Sequence, residues 1–252
     1  DTGGTTPGFQ GDDSTVIVTT RGAQTGSAKR IQEGVEVVAV GGQVNVLGGK
    51  YGGVDTSSKS VTLAVGGGPD RVTVDGDLTL DGDDTLSVTL NGTAPVSEYD
   101  QWVITGNVTL GNAALDVSLG FTPVPADAFT VIDNQSSTSV GGIFGGLPDK
   151  ATLLVDGTPL EIDYGSGTDD NVTLSYDTTP VLNADELGNG INNLIEVRLD
   201  PADGHVEVAI DGTIVLDTPL ANLDTHIING QTGNDIMIVD FSDGAPIPAG
   251  GL

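Results

Sequence analysis

RVTVDGDLTLDGDDTLSVTLNG, residues 71–92, sets short alternating apolar runs between Asp/Gly steps, and its reading decides the fold class. Val72, Val74, Leu78, Leu80, Leu86, Val88 and Leu90 recur at period two, so each run turns one face to a core and points Thr, Ser and Asp outward. Three strands are predicted here, with DG, DGDD and NG as the turns between them, because Asp, Asn and Gly accept the backbone angles that tight turns need. The steps leave no room for helices.

The pattern extends in both directions. QVNVLGGKY and SVTLAV precede it, and QWVITGNVTL, AALDVSL, FTVID, ATLLV, LEIDY and NVTLSY follow, each bounded by Gly, Pro, Asn or Asp. Turn signals at a spacing of about 8–12 residues indicate a sandwich, a barrel or a β-solenoid; parallel αβ units would need helical crossovers that the sequence does not offer. One segment departs from the pattern: KRIQEGVEVVAV, residues 29–40, places Ile31, Val35, Val38 and Ala39 on one helical face and is closed by Gly41 and Gly42. It is the single helix expected. Residues 1–15, rich in Gly and Thr, read as a flexible or strand-donating arm, and a strand is predicted over Val16–Thr20. A composition shift around TTPVLNADELGNGIN puts a boundary near 178, so residues 16–178 form one β domain and 179–252 a smaller all-β domain. In the latter, Ile210–Ile214 reads as a hairpin turning at Asp211 and Gly212.

Charge narrows the partners. With 36 acidic residues against 8 basic ones, the net charge of −28 disfavours nucleic acid and anionic membranes, and no apolar run is long enough to span a bilayer. The acids are mostly Asp, which suits turns. The absence of Cys removes disulfides and thiolate metal sites. The chain opens at Asp1, which reads as a processed product or an excised segment, and export is the favoured origin.

An inventory of chemistry gives little catalytic signal. His205 and His226 are the two histidines, read as surface residues beside a turn and a strand. No nucleophile elbow, zinc-protease, P-loop or dinucleotide pattern occurs. Polysaccharide cleavage would need paired acids, or calcium with a basic group, yet Arg71 and Arg198 are isolated, and Trp102, Tyr51, Tyr99 and Tyr164 are dispersed. Trp102 reads as a core residue. Calcium is the ligand class the acids fit best, through Asp75, Asp77, Asp81, Asp83 and Asp84, with a smaller group at Asp169, Asp170 and Asn171. Solvated turn carboxylates are the competing reading.

Arg30–Tyr51, RIQEGVEVVAVGGQVNVLGGKY, resembles the opening coil of right-handed parallel β-helix proteins, in which a helix plugs one end of the core. The stretch from Gly76 to Tyr176 resembles a repeat module of giant bacterial surface and autotransporter-like proteins, frequent in planctomycete-like bacteria. HIINGQTGNDIMIVDF, residues 226–241, is similar to units adjoining such modules that resemble calcium-binding nonapeptides, which implies Asn229, Asn234 and Asp235 as ligands; Gln231 stands where that pattern has Gly.

Together these readings predict an all-β chain. A right-handed β-solenoid with a short N-terminal capping helix is followed by a smaller all-β block; tandem β-sandwiches are the alternative. The expected role is a non-enzymatic structural module, extracellular or at the cell surface. It would assemble as a homo-oligomer or homopolymer through chain ends or strand edges. A polysaccharide-binding or polysaccharide-cleaving module and a calcium-dependent adhesin are the alternatives.

Overall fold

A strand that buries every second side chain still needs neighbours along both edges, and over much of this chain the neighbour is the strand two further on. The structure, a computed structural model, describes residues 13–20, 30–165 and 170–252; most of the predicted arm and Asp169 lie outside them. In chain order the first elements are β1 (Thr15–Val18), α1 (Arg30–Val37), β2 (Gly42–Val46), β3 (Gly49–Asp55), β4 (Val61–Val65), β5 (Arg71–Thr79), β6 (Thr85–Leu90), β7 (Gln101–Ile104), β8 (Val108–Thr109), β9 (Ala114–Leu119) and β10 (Ala128–Asn134). A five-stranded sheet runs β1-β2-β4-β6-β9, parallel throughout. In the second sheet β3, β5, β7 and β10 are likewise parallel, with β8 against β5.

Register turns alternation into packing. Val44 pairs with Leu63, Leu63 with Leu86 and Leu86 with Leu115; in the second sheet Val72 pairs with Trp102 and Trp102 with Ile132. These columns form one apolar cluster, in which every alternating apolar residue of the 71–92 stretch is buried. Each buried aliphatic side chain contributes about 1.5–3 kcal/mol by leaving water. The α1 helix adds Ile31 and Val35, and Val38 follows directly after it, while Ala39 is exposed.

The solenoid expectation is corrected. The strands lie in several separate sheets, parallel and mixed, and none closes on itself. The second sheet turns antiparallel beyond β10, through β11 (Thr152–Val155), β12 (Thr158–Asp163) and β13 (Val172–Tyr176). The tandem-sandwich alternative, which requires antiparallel sheets, fails on the all-parallel first sheet. Period-two alternation reports that one face is buried and is silent on strand direction and partner, so the all-β class stands while the architecture differs.

A second correction concerns Asp75–Gly76, read as a turn but lying inside the nine-residue β5. Gly76 has φ +145, and a Cβ there would stand 3.0 Å from the Gly53 nitrogen; a Cβ on Gly106 would come within 2.5 Å of the Gly76 carbonyl carbon. Glycines from neighbouring strands thus meet where the β3–β5 register shifts, which makes this step a bulge.

The remaining elements are β14 (Val181–Asn183), α2 (Ala184–Leu187), β15 (Leu194–Leu199), β16 (His205–Ile210), β17 (Thr213–Pro219), β18 (Ile227–Asn229) and β19 (Ile236–Val239), with a 3-10 turn at Leu220–Asn222. The expectation of a single helix is therefore also corrected. β14 pairs with β18 in parallel, and a four-stranded sheet runs β17-β16-β15-β19. The β16–β17 turn has φ +52 at Asp211 and +80 at Gly212, the two positive angles of a type I′ hairpin at the predicted position. Leu182, Ile195, Val197, Val206, Val208, Ile210, Leu216 and Leu223 make a second, smaller core.

Candidate functional sites

The predicted calcium ligands are placed by local turn and strand geometry, and most already hold protein donors. Asp75 pairs with Lys50 at 2.9 Å and accepts the Thr105 hydroxyl at 3.2 Å. Lys50, then Thr105, keeps its carboxyl below the usual range. Asp77 accepts the Asn107 N–H at 2.7 Å, and Asp81 the Asp83 N–H at 3.0 Å. Asp84 is buried and accepts the N–H groups of Asp81 at 2.9 Å and Val61 at 3.0 Å, together with the Thr56 hydroxyl. Burial raises its pKa against those hydrogen bonds. Asn229 donates to the Asn183 side chain at 3.1 Å, the Asn234 N–H bonds the Asn192 side chain at 2.9 Å, and Asp235 accepts the Asn193 N–H at 2.9 Å. These contacts fasten one strand or turn to the next.

Among the described residues, the group able to place three ligand atoms within 4.8 Å is instead Asp203, His205 and Asp217. His205 Nδ1 lies 2.7 Å from Asp217 Oδ1 and 3.8 Å from Asp203 Oδ2, and the Asp203 carboxylate accepts the His205 N–H at 3.0 Å. An imidazole with two carboxylates suits a borderline divalent cation better than calcium, which favours all-oxygen sites. The same contacts also close the open end of the β16–β17 hairpin. Counting outward from the predicted turn would have missed this pairing, since it sets Glu207 opposite Leu216; the bulge between Val208 and Ala209 puts Glu207 opposite Asp217 instead, and His205 and Asp217 diagonally on one face.

That face carries a charged row across the sheet. Arg198 on β15 stands opposite Glu207 on β16 at 2.5 Å, and Glu207 opposite Asp217 on β17. The β15–β19 register brings Asp240 beside Arg198, which helps, behind hydrogen bonds from Ser242, to hold its carboxyl low.

Asp100 and His226 are buried ionisable groups that escaped the sequence reading. Asp100 accepts the Thr89 N–H at 2.8 Å and the Asp70 N–H at 3.3 Å, and burial pushes its carboxyl up to about 6. His226, read as a surface residue, is 0% exposed with neither ring nitrogen hydrogen-bonded, and burial lowers its pKa. Trp102 is fully buried in the larger core, as predicted.

Comparison with known proteins adds no identification: no protein family, no curated protein and no solved structure matches the chain. The resemblance to β-helix and autotransporter-like modules therefore finds no support there. No helix among the described residues is long and apolar enough to cross a membrane.

Proposed function

We propose that this chain is a non-enzymatic structural module of an extracellular or cell-surface protein, joined into larger assemblies through strand edges or chain ends. The observation that carries the reading is the use made of the outward polar residues. Across neighbouring parallel strands and their turns, Ser87 bonds Asp116, Ser118 bonds Thr89, Thr105 bonds Asp75 and Thr138 bonds Asn107. Their separations in sequence stay between 29 and 31 residues, so the polar exterior repeats the register of the backbone ladders. Short hydroxyls and carboxylates committed to neighbouring strands stiffen a sheet surface. They are then less available to converge on a substrate.

The interior supports the same reading. Trp102, Tyr51, Phe129 and Phe144 fill the larger core, and Tyr99 and Phe121 meet Phe129 edge to face at 5.5 and 5.9 Å. These rings, which a glycan-binding site could use for stacking, are spent on packing. The acidic coat keeps such a module soluble and repels anionic surfaces.

Electron microscopy of the purified chain over a concentration series tests the reading. Rods, fibres or sheets with a regular repeat support it. Dispersed single particles at every concentration, together with release of reducing ends from acidic polysaccharides, contradict it.

A further inference from the structure

The four-stranded sheet ends on an edge that its own sequence does not finish. β19 reads Ile236-Met237-Ile238-Val239, and its first three side chains are 61%, 41% and 46% exposed, with Phe241 next to them at 56%. A half-buried strand alternates apolar with polar residues; a continuous apolar run belongs to a strand covered on both faces. Among the described residues β19 has a neighbour on one edge only, β15. The N–H groups of Ile236 and Asp240 go to the Asn193 and Val197 carbonyls, so by alternation Met237 and Val239 aim theirs at the open edge.

The covered side of β19 shows what chemistry such an edge accepts. The turn at residues 227–239 lies on the turn at 181–197 as a second copy of one pattern: Asn229 on Asn183, Asn234 beside Asn192, Asp235 on Asn193, Ile236 on Leu194 and Val239 on Val197. At one end an Asp235 carboxylate meets a backbone N–H, at the other Asp240 meets the Arg198 cation, and apolar residues lie between. The open edge repeats Asp240, with Asp243 beyond it, and among the described residues no ion pair is formed there that would take Arg198's place.

We propose that the outer edge of β18 and β19 docks an extended strand of the kind that already covers the inner edge: an Asn-bearing turn, then four apolar-rich residues, then a cation facing Asp240. The strand adds in parallel to β19, with the outward N–H and C=O groups of Met237 and Val239 supplying the ladder and Asp240 selecting a basic residue at its end. This inference names one of the strand edges through which the proposed module would be joined, and it rests on that reading.

The probe is a fluorescein-labelled peptide with the sequence of residues 191–200, INNLIEVRLD, titrated with the full chain by fluorescence anisotropy. Saturable binding is expected. It should be lost in Met237→Pro, which blocks the open edge without removing a hydrogen bond to β15, while the melting curve of that variant stays close to wild type. Asp240→Lys should weaken binding at least tenfold, and a peptide carrying Glu in place of its Arg should restore it. Equal binding of a scrambled peptide, binding that survives Met237→Pro, or failure of the charge exchange would overturn the proposal. So would a concentration-dependent dimer that Met237→Pro abolishes while the peptide does not bind, since the occupant would then be a second copy. If the peptide fails and regular assemblies still form, this edge assignment falls and the structural reading remains.

Discussion

The two cores handle the buried titratable groups Asp84, Asp100 and His226 differently. In the larger core, reaching from Val18 to Leu174, the buried carboxylates Asp84 and Asp100 each close on backbone N–H groups of neighbouring segments. In the smaller core, from Leu182 to Leu223, the adjoining His226 is fully buried with neither nitrogen bonded, and the sheet over that core ends on the exposed Ile236-Met237-Ile238 edge. Both cores also hold a ring N–H or nitrogen without a partner, Trp102 Nε1 in the larger and the two His226 nitrogens beside the smaller. What sets the smaller one apart is the unpartnered titratable group and the exposed apolar margin, which is where an element that joins other strands belongs.

Truncation of Trp102 should have the largest effect on this comparison. Trp102→Ala empties the centre of the larger core and should cost about 3–5 kcal/mol. Urea unfolding monitored by tyrosine fluorescence measures it, and amide protection at Val197 and Val208 in the smaller core should persist. Loss of protection in both cores together would show that they are one cooperative unit. Asp84→Ala comes next: it leaves the Val61 and Asp81 N–H groups without their acceptor, at about 2 kcal/mol, while the Thr56 hydroxyl keeps the Thr79 carbonyl, and Asp84→Asn, which keeps one oxygen, should lose less. The smallest effect has the opposite sign. His226→Leu removes two unpaired ring nitrogens and should stabilise the smaller core by about 1 kcal/mol in thermal unfolding.

How much of this was legible depends on the range of the interaction. Short-range signals were read correctly: the burial of Val72 to Leu90, a helix within 29–40, observed over Arg30–Val37, and the Asp211–Gly212 turn. Each is fixed by neighbours in sequence. In the parallel ladders, strand direction and partner are set by segments 19 to 46 residues away, and alternation carries no record of them, so the architecture was misread. Asp75–Gly76 failed for the same reason, since a bulge and a turn share one dipeptide and differ in whether Gly53 lies alongside. Among the candidate ligands, density of acids in sequence was a poor guide. Asp81, Asp83 and Asp84 are adjacent but point into separate hydrogen bonds or solvent, while His205 and Asp217, far apart in sequence, meet across a hairpin. The burial of His226 had no local signature at all.

The contrast between the cores also fixes opposite responses to acid. Folded Asp100 titrates at about 6 against 3.8 for the free group, so as pH falls the folded state takes up the proton first and the larger core gains stability between those values. Folded His226 titrates below its free value of 6.5, so the unfolded chain takes up the proton first and the smaller core loses stability as pH falls through that value. Native-state amide exchange, corrected for intrinsic rates and followed at Val72 and Ile104 in one core and at Val197 and Val208 in the other, separates the two effects. On going from about pH 7 to about pH 5, protection should rise in the larger core and fall in the smaller one, and the fall should vanish in His226→Leu. Protection that moves in the same direction in both cores would contradict the account.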